Sequence, residues 1–414
     1  MKTLYLQKLM TCRNILSDNT IKLLIESLAQ PQNSSISYDF IALLIQRAEK
    51  LGLHGNLLRA YLIHLLSYGD NLAAKASEQN GGKIGSSLYV AFCQDMETIF
   101  TLLNTKPSSI IPTTLLDDYQ PSQLAAPSPR TLLEESIATA SSGKELADLL
   151  LKHYEHYGYG DIASHKAFRW DSSNHKLLGI SHFENIALKD LIGYERQKEM
   201  LAGNTEAFIT GKPANNVLLV GARGTGKSSS VKALANAYYS QGLRILQATK
   251  AQLTDLPKIM DTLRQISSKK FIIFLDDLSF EEYEVEYKYL KSAIEGGVEG
   301  RPENVLIYAT SNRRHLIKET WKDRHDEQDE LYRNDSVNET MSLSDRFGII
   351  LNYIAPNQTE YLEIIDTRLK RAGIELDAEE LRIQALRWEI THSGRSGRIA
   401  QQFVDHYLGT QKQH

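Results

Sequence analysis

Cysteine is nearly absent: 414 residues hold only Cys12 and Cys93, far apart and in no C-x-x-C pair. Neither a disulfide framework nor a zinc site is suggested, a reducing compartment fits, and both residues read as small apolar core groups. Long hydrophobic runs are missing too, and none reaches the about 18 residues a membrane helix needs. Gln7 and Lys8 interrupt the N-terminus before a signal-peptide core could form, so a cytoplasmic protein without membrane contact is expected. Basic excess is also lacking: the net charge is −4. That is not the footprint of a dedicated nucleic-acid binder, although a local patch stays open. What remains is an ordinary globular composition, 42% hydrophobic and 24% charged, on a chain long enough for two or three domains.

Residues 1–105 read as an all-helical N-terminal domain. Ile21, Leu24, Ile25 and Leu28 fall on one helical face, further helices run through Leu57–Leu66 and Leu88–Leu103, and Asn80-Gly81-Gly82 is turn chemistry. No catalytic signature appears there, which leaves docking or scaffolding as its role. Residues 106–185 read as a proline-rich linker, a helix and an aromatic arm. Pro107, Pro112, Pro121, Pro127 and Pro129 exclude a long helix or central strand, and a single helix is expected over Leu132–Tyr154. The rings from Tyr154 through Tyr159 to Phe168 and Trp170 could stack on bases or pack on the next domain. No Lys/Arg run accompanies them, which favours packing.

From Ile186 the texture becomes that of a parallel α/β sheet. Strands are expected at Val217–Val220, Leu243–Ala248, Phe271–Leu275, Val305–Ala309 and Ile349–Ile354, in a domain spanning 186–356. Three helices close the chain in a domain at 357–414, near Thr359–Arg371, Ala378–Thr391 and Gly397–Leu408.

The chemistry concentrates in this second half. Gly221-Ala222-Arg223-Gly224-Thr225-Gly226-Lys227-Ser228 fits G-x-x-x-x-G-K-[ST] at every fixed position, between a strand and a helix from Ser228 through Tyr238. Glycines let backbone N–H groups curl around phosphates, and the new helix points its positive end at them. Lys227 is the candidate for the β- and γ-phosphates of ATP, and Ser228 for Mg²⁺. The strand ending in Asp276-Asp277 offers Asp276 to the same metal and Asp277 to the attacking water, with Glu281 and Glu282 as substitutes for the latter. Asn312 ends the fourth strand and either orients water at the γ-phosphate or forms a turn. Arg346 either reaches a neighbouring subunit's nucleotide, worth roughly 10³–10⁵ in rate, or pairs with Asp345 or another acid. Arg395 and Arg398, three apart at the last helix, either present one residue (Arg398 favoured) to the phosphates or form a surface pair.

In this order the elements resemble an AAA+ ATPase. Leu191-Ile192-Gly193-Tyr194-Glu195 resembles that family's adenine-side box, which implies Ile192 and Gly193 beside the base. Gly221–Ser229, Leu275–Glu281, Ala309–Leu316, Leu343–Gly348 and Gly394–Arg398 are similar to a bacterial family of predicted ATPases catalogued only as a domain of unknown function. The Asp-Asp pair and the Asp345-Arg346-Phe347-Gly348 stretch also look like the replication-initiator and helicase-loader branch. The resemblance implies a five-stranded parallel sheet with a C-terminal helical lid, ATP bound between them, and a homo-oligomeric ring or filament with arginines acting across subunits. Asp277 departs from the commoner glutamate, which implies slow hydrolysis.

Residues 318–339 carry eight acidic and four basic residues, either a solvated loop or a partner-facing element. The functions in competition are an ATP-driven remodeller or loader of a protein or protein–nucleic-acid partner, an ATP-dependent scaffold with little hydrolysis, and a small-molecule kinase. The kinase fits least, because the helices follow the sheet instead of forming a lid within it.

Overall fold

In the computed structural model the described residues are 6–281, 284–296, 300–312, 316, 343–392 and 394–410. They divide into two compact units, Met1–His165 with Gln265–Lys269, and Lys166–Arg264 with Lys270–His414.

The first unit is helical. Its helices are α1 (Asn19–Ala29), α2 (Ser34–Leu51), α3 (Leu57–Ser67), α4 (Leu72–Gln79), α5 (Ser86–Leu103), α6 (Pro129–Ile137), α7 (Gly143–Tyr157) and the single turn α8 (Gly160–Ser164). Short polar residues start several of them: Asp18 accepts from the N–H groups of Thr20 and Ile21, and Asn56 from that of Arg59. Apolar faces converge on one core that includes Leu24, Phe40, Leu62, Phe92, Ile99 and Leu150. The proline-rich stretch lies against this core: Ile111 and Leu116 are buried, and Leu57 N–H donates to the Leu116 carbonyl.

The single helix expected over Leu132–Tyr154 is two. Ser142 accepts from the Glu145 N–H and starts a new helix at Gly143, so capping chemistry outweighs the continuous apolar spacing. The aromatic segment also splits. Tyr154 lies in the last turn of α7 and is buried, its hydroxyl donating to the Leu66 carbonyl. Phe168 and Trp170 instead belong to a strand of the second unit.

That unit holds β1 (Ala167–Asp171), β2 (Lys176–Gly179), α9 (Glu195–Ile209), β3 (Val217–Gly221), α10 (Lys227–Tyr238), β4 (Leu243–Ala248), α11 (Leu256–Arg264), β5 (Lys270–Leu275), α12 (Glu286–Glu295), β6 (Val305–Ser311) and β7 (Ile349–Tyr353), followed by α13 (Gln358–Arg371), α14 (Ala378–Thr391) and α15 (Gly397–Thr410). Among the described residues the sheet has seven strands in the order β2-β1-β4-β5-β6-β3-β7. Five are the expected parallel set. β1 extends it in parallel beyond β4, and β2 pairs antiparallel with β1. The sequence reading missed these two because they are short, and β2, at the sheet's edge, does not need a two-sided apolar run.

β3, β5 and β6 are buried along nearly their whole length, as strands covered on both faces should be. One face packs Leu219, Ile272, Leu306 and Leu351 against Leu201 of α9 and Val231, Leu234 of α10. The last three helices form their own cluster around Tyr361, Ile365, Leu381 and Phe403. Asn357 and Glu360 form a capping box at the start of α13. Among the described residues no helix is long and apolar enough to cross a membrane.

Candidate nucleotide-binding site

Strand register assembles the site. Val220 lies opposite Ser311 and Leu275 opposite Ala309, so the chain segments leaving the parallel strands β3, β5 and β6 emerge at the same end of the sheet, beyond their C-terminal ends. On the other side of β3, Gly221 lies opposite Tyr353 of β7. Gly221 has φ +141°, and a Cβ there would stand 1.9 Å from the Tyr353 carbonyl oxygen, so only glycine fits. The Ala222 N–H donates to that same oxygen at 3.1 Å.

The loop then curls. Thr225 donates through its hydroxyl to the Ala222 carbonyl at 2.8 Å, and Gly224 and Gly226 hold φ of +75° and +91°. Among the described residues no side chain caps α10 after Gly226, which leaves the first-turn N–H groups of Lys227, Ser228 and Ser229 open at the helix's positive end. Arg223 is exposed at the loop's tip.

Lys227 is buried, and its ammonium donates to the Gly221 carbonyl (2.9 Å), the Ala222 carbonyl (2.6 Å) and Asn312 Oδ1 (3.2 Å). Burial pulls its pKa below the usual lysine range; Asp277 and Asp276 oppose the shift, and the charges of Arg398 and Arg223 add to it. Phosphate oxygens here would relieve the crowding of positive charge.

Asp276 Oδ1 accepts from the Ser228 hydroxyl at 2.6 Å and from the Thr310 hydroxyl at 2.7 Å. Two oxygen-bearing residues so placed suit a hard cation such as Mg²⁺. Asp277 follows with φ +53°, a left-handed conformation uncommon outside glycine. Its carboxylate accepts from the Asn312 side-chain amide. Asn312 thus touches both Lys227 and Asp277 and is more than a turn residue. Glu281 lies on a turn whose N–H donates to Glu284, itself paired with Lys250. Glu282 falls outside the described residues, as does the acidic segment 318–339.

The C-terminal helices meet the loop directly. Arg398 N–H donates to the Gly224 carbonyl at 3.3 Å, and Arg368 of α13 secures that contact by donating to the Gly397 carbonyl at 2.9 Å. Arg398 sits in the first turn of α15, and its guanidinium has no partner among the described residues. Arg395 instead precedes the helix and lies 2.8 Å from Glu389, so the two arginines do not form one helical face.

Leu191, Ile192 and Gly193 lie between loop and lid. A Cβ on Gly226 would stand 3.7 Å from Leu191, Ile192 packs against the lid cluster, and Arg371 of α13 donates to the Lys189 carbonyl. Gly193 has φ +80°, and Tyr194, also left-handed, lies with its ring tilted over Tyr353 at 4.8 Å between centroids. Arg346 is ion-paired with Glu295 at the end of α12, one of the two alternatives its sequence left open for this chain by itself.

Sequence reasoning did not single out Thr310, Tyr353 or Arg368. Their importance comes from strand register and lid packing, which no local motif encodes.

The P-loop, the Asp-Asp strand end beyond an intervening strand, and the helical lid resting on the loop make up an AAA+ architecture. A family profile described as a protein of unknown function (DUF815) matches residues 163–411. The large subunit of replication factor C from Methanococcus vannielii is 28% identical over 102 residues, 24% of this chain and 21% of that protein. Among solved structures, the RuvB Holliday junction branch migration motor of Thermotoga maritima is 19% identical, with a TM-score of 0.38, over 54% of this chain and 64% of that one. PCH-2 of C. elegans is 18% identical, with a TM-score of 0.37, over 55% and 65%. The chain therefore spans about a fifth of the curated relative and less than two thirds of either solved chain.

Proposed function

Because this chain belongs to the DUF815 family, whose description stops at unknown function, we propose its activity from its own residues: it binds Mg·ATP and hydrolyses it to move a partner. The observation that carries this is the joined set at the C-terminal ends of β3, β5 and β6, where Ser228 meets Asp276 and Lys227 meets Asn312, which in turn meets Asp277.

The loop N–H groups and Lys227 bind the phosphates, and Ile192 and Gly193 flank the adenine. Ser228 and Asp276 hold the metal, which when bound supplies positive charge against the negative charge building on the transferred phosphoryl oxygens. Asp277 accepts a proton from, or orients, the attacking water, with Asn312 fixing the carboxylate. Arg398 ties the lid to the phosphates. Arg346 leaves Glu295 and serves the neighbouring subunit of a ring or filament. The helical N-terminal unit, 1–105 as read from the sequence, recruits the client, and the cycle runs in the cytoplasm.

One observation favours a second reading. Asp277 is a methylene shorter than glutamate and is held by Asn312, so the chain could act as an ATP-dependent scaffold that rarely cleaves. Phosphate release measured at rising protein concentration separates the two. The remodelling reading expects specific activity to climb with concentration and to vanish in Asp277→Asn. Turnover at background alongside ATP-dependent association would establish the scaffold instead.

A further inference from the structure

Thr310 lies on β6 and is 1% exposed, yet it makes more contacts to the acidic pair than any residue of the P-loop. Its hydroxyl donates to Asp276 Oδ1 at 2.7 Å and accepts from the Asp277 N–H at 2.9 Å. Its carbonyl accepts from the next N–H, that of Leu278, at 2.7 Å. A hydroxyl can donate one bond and accept others, so one side chain serves both neighbours at once.

The consequences differ for the two acids. Asp276 Oδ1 receives two hydroxyl donors, from Thr310 and Ser228, while Oδ2 receives no hydrogen bond among the described residues. The carboxylate is thereby fixed with one oxygen spent and the other open. At Asp277 a non-glycine residue holds φ +53°, and such a conformation persists only when its surroundings over-determine it. The Thr310 hydroxyl and carbonyl, on consecutive N–H groups, do that.

We propose that Thr310 is a positioning residue for the nucleotide reaction: it fixes the open oxygen of Asp276 toward Mg²⁺ and the turn that presents Asp277. It therefore sets metal affinity and turnover together. This rests on the reading of Asp276 as the metal-side carboxylate, and Thr310 itself touches neither metal nor substrate.

The test uses the full chain, mant-ATP fluorescence titrated with MgCl₂ or in EDTA, and steady-state turnover. In Thr310→Val the metal-free affinity should stay within about twofold, because the phosphate-binding loop is untouched. The Mg²⁺ midpoint should rise about tenfold and kcat should fall about tenfold at saturating Mg·ATP, the scale of one lost charge-assisted hydrogen bond. Thr310→Ser, which keeps the hydroxyl, should restore most of both. Asp276→Asn is the control and should lose the Mg²⁺ response. If Thr310→Val keeps the wild-type midpoint and kcat while Asp276→Asn loses its response, the role of Thr310 is refuted and the metal site stands. If Asp276→Asn responds like wild type, the metal-site reading fails and this inference with it. Should the valine variant not fold, Thr310→Ala faces the same criteria.

Discussion

The side-chain amide of Asn312 donates to the Asp277 carboxylate while its oxygen accepts from Lys227 at 3.2 Å, so one residue joins the P-loop lysine to the candidate base. On the proposed reading Asn312 stands between phosphate and water, where a group matters more in the transition state than in the ground state. Asn312→Ala should therefore lower kcat about 10²-fold and change ATP affinity less than about threefold. Parallel steady-state and equilibrium-binding measurements read this. A large loss of affinity at unchanged kcat would remove Asn312 from the reaction.

Gly224 gives a way to pry the lid from the loop. It holds φ +75°, and an added Cβ would stand 2.8 Å from Ser396 Oγ and 3.0 Å from Arg398 Cβ. Gly224→Ala should cost about 1–2 kcal/mol of backbone strain and weaken ATP binding about tenfold. Calorimetric titration checks the affinity, and thermal melting checks that the fold survives.

Arg346 and Glu295 form a partly exposed ion pair, at 27% and 46% side-chain exposure, so breaking it should change stability by less than about 1 kcal/mol. The expected effect of Arg346→Ala is on assembly-dependent turnover. Specific activity should stop rising with protein concentration while ATP binding is retained. Full activity in this variant would take the arginine out of the mechanism.

The core five strands and the three closing helices were legible in the sequence because their signals are local. Val305–Ala309 and Phe271–Leu275 are unbroken apolar runs, as two-sided strands require. The P-loop was legible for the same reason. Thr310 was not: its partners Asp276 and Asp277 lie 34 and 33 residues away, joined only by the register of β5 on β6. The hairpin of β1 and β2 escaped for want of length, and the break between α6 and α7 because Ser142 speaks only for its own cap.

His64 and His153 make the helical unit acid-sensitive. Each is pushed down to about 4, His64 by burial and then by the charges of Arg130 and Arg47, and His153 by burial against the opposing pull of its bond to the Ser67 carbonyl. Both are neutral when folded and gain a proton on unfolding. Their contribution is intact above about pH 6.5 and is lost as pH falls toward 4. By pH 5 the loss should reach about 2 kcal/mol apiece. Urea melts followed by circular dichroism at pH 7 and pH 5 measure it, and His153→Gln should remove about half the difference.

ATP binding in the presence of Mg²⁺, compared between the wild type and Lys227→Ala by calorimetric titration, addresses the whole scheme. Micromolar or tighter binding should fall at least about 10²-fold in the variant, because on the proposed reading the buried ammonium that now serves two loop carbonyls and Asn312 turns to the phosphates. Wild-type protein that takes up no nucleotide, or a Lys227→Ala variant that binds it equally well, would contradict the assignment of this site.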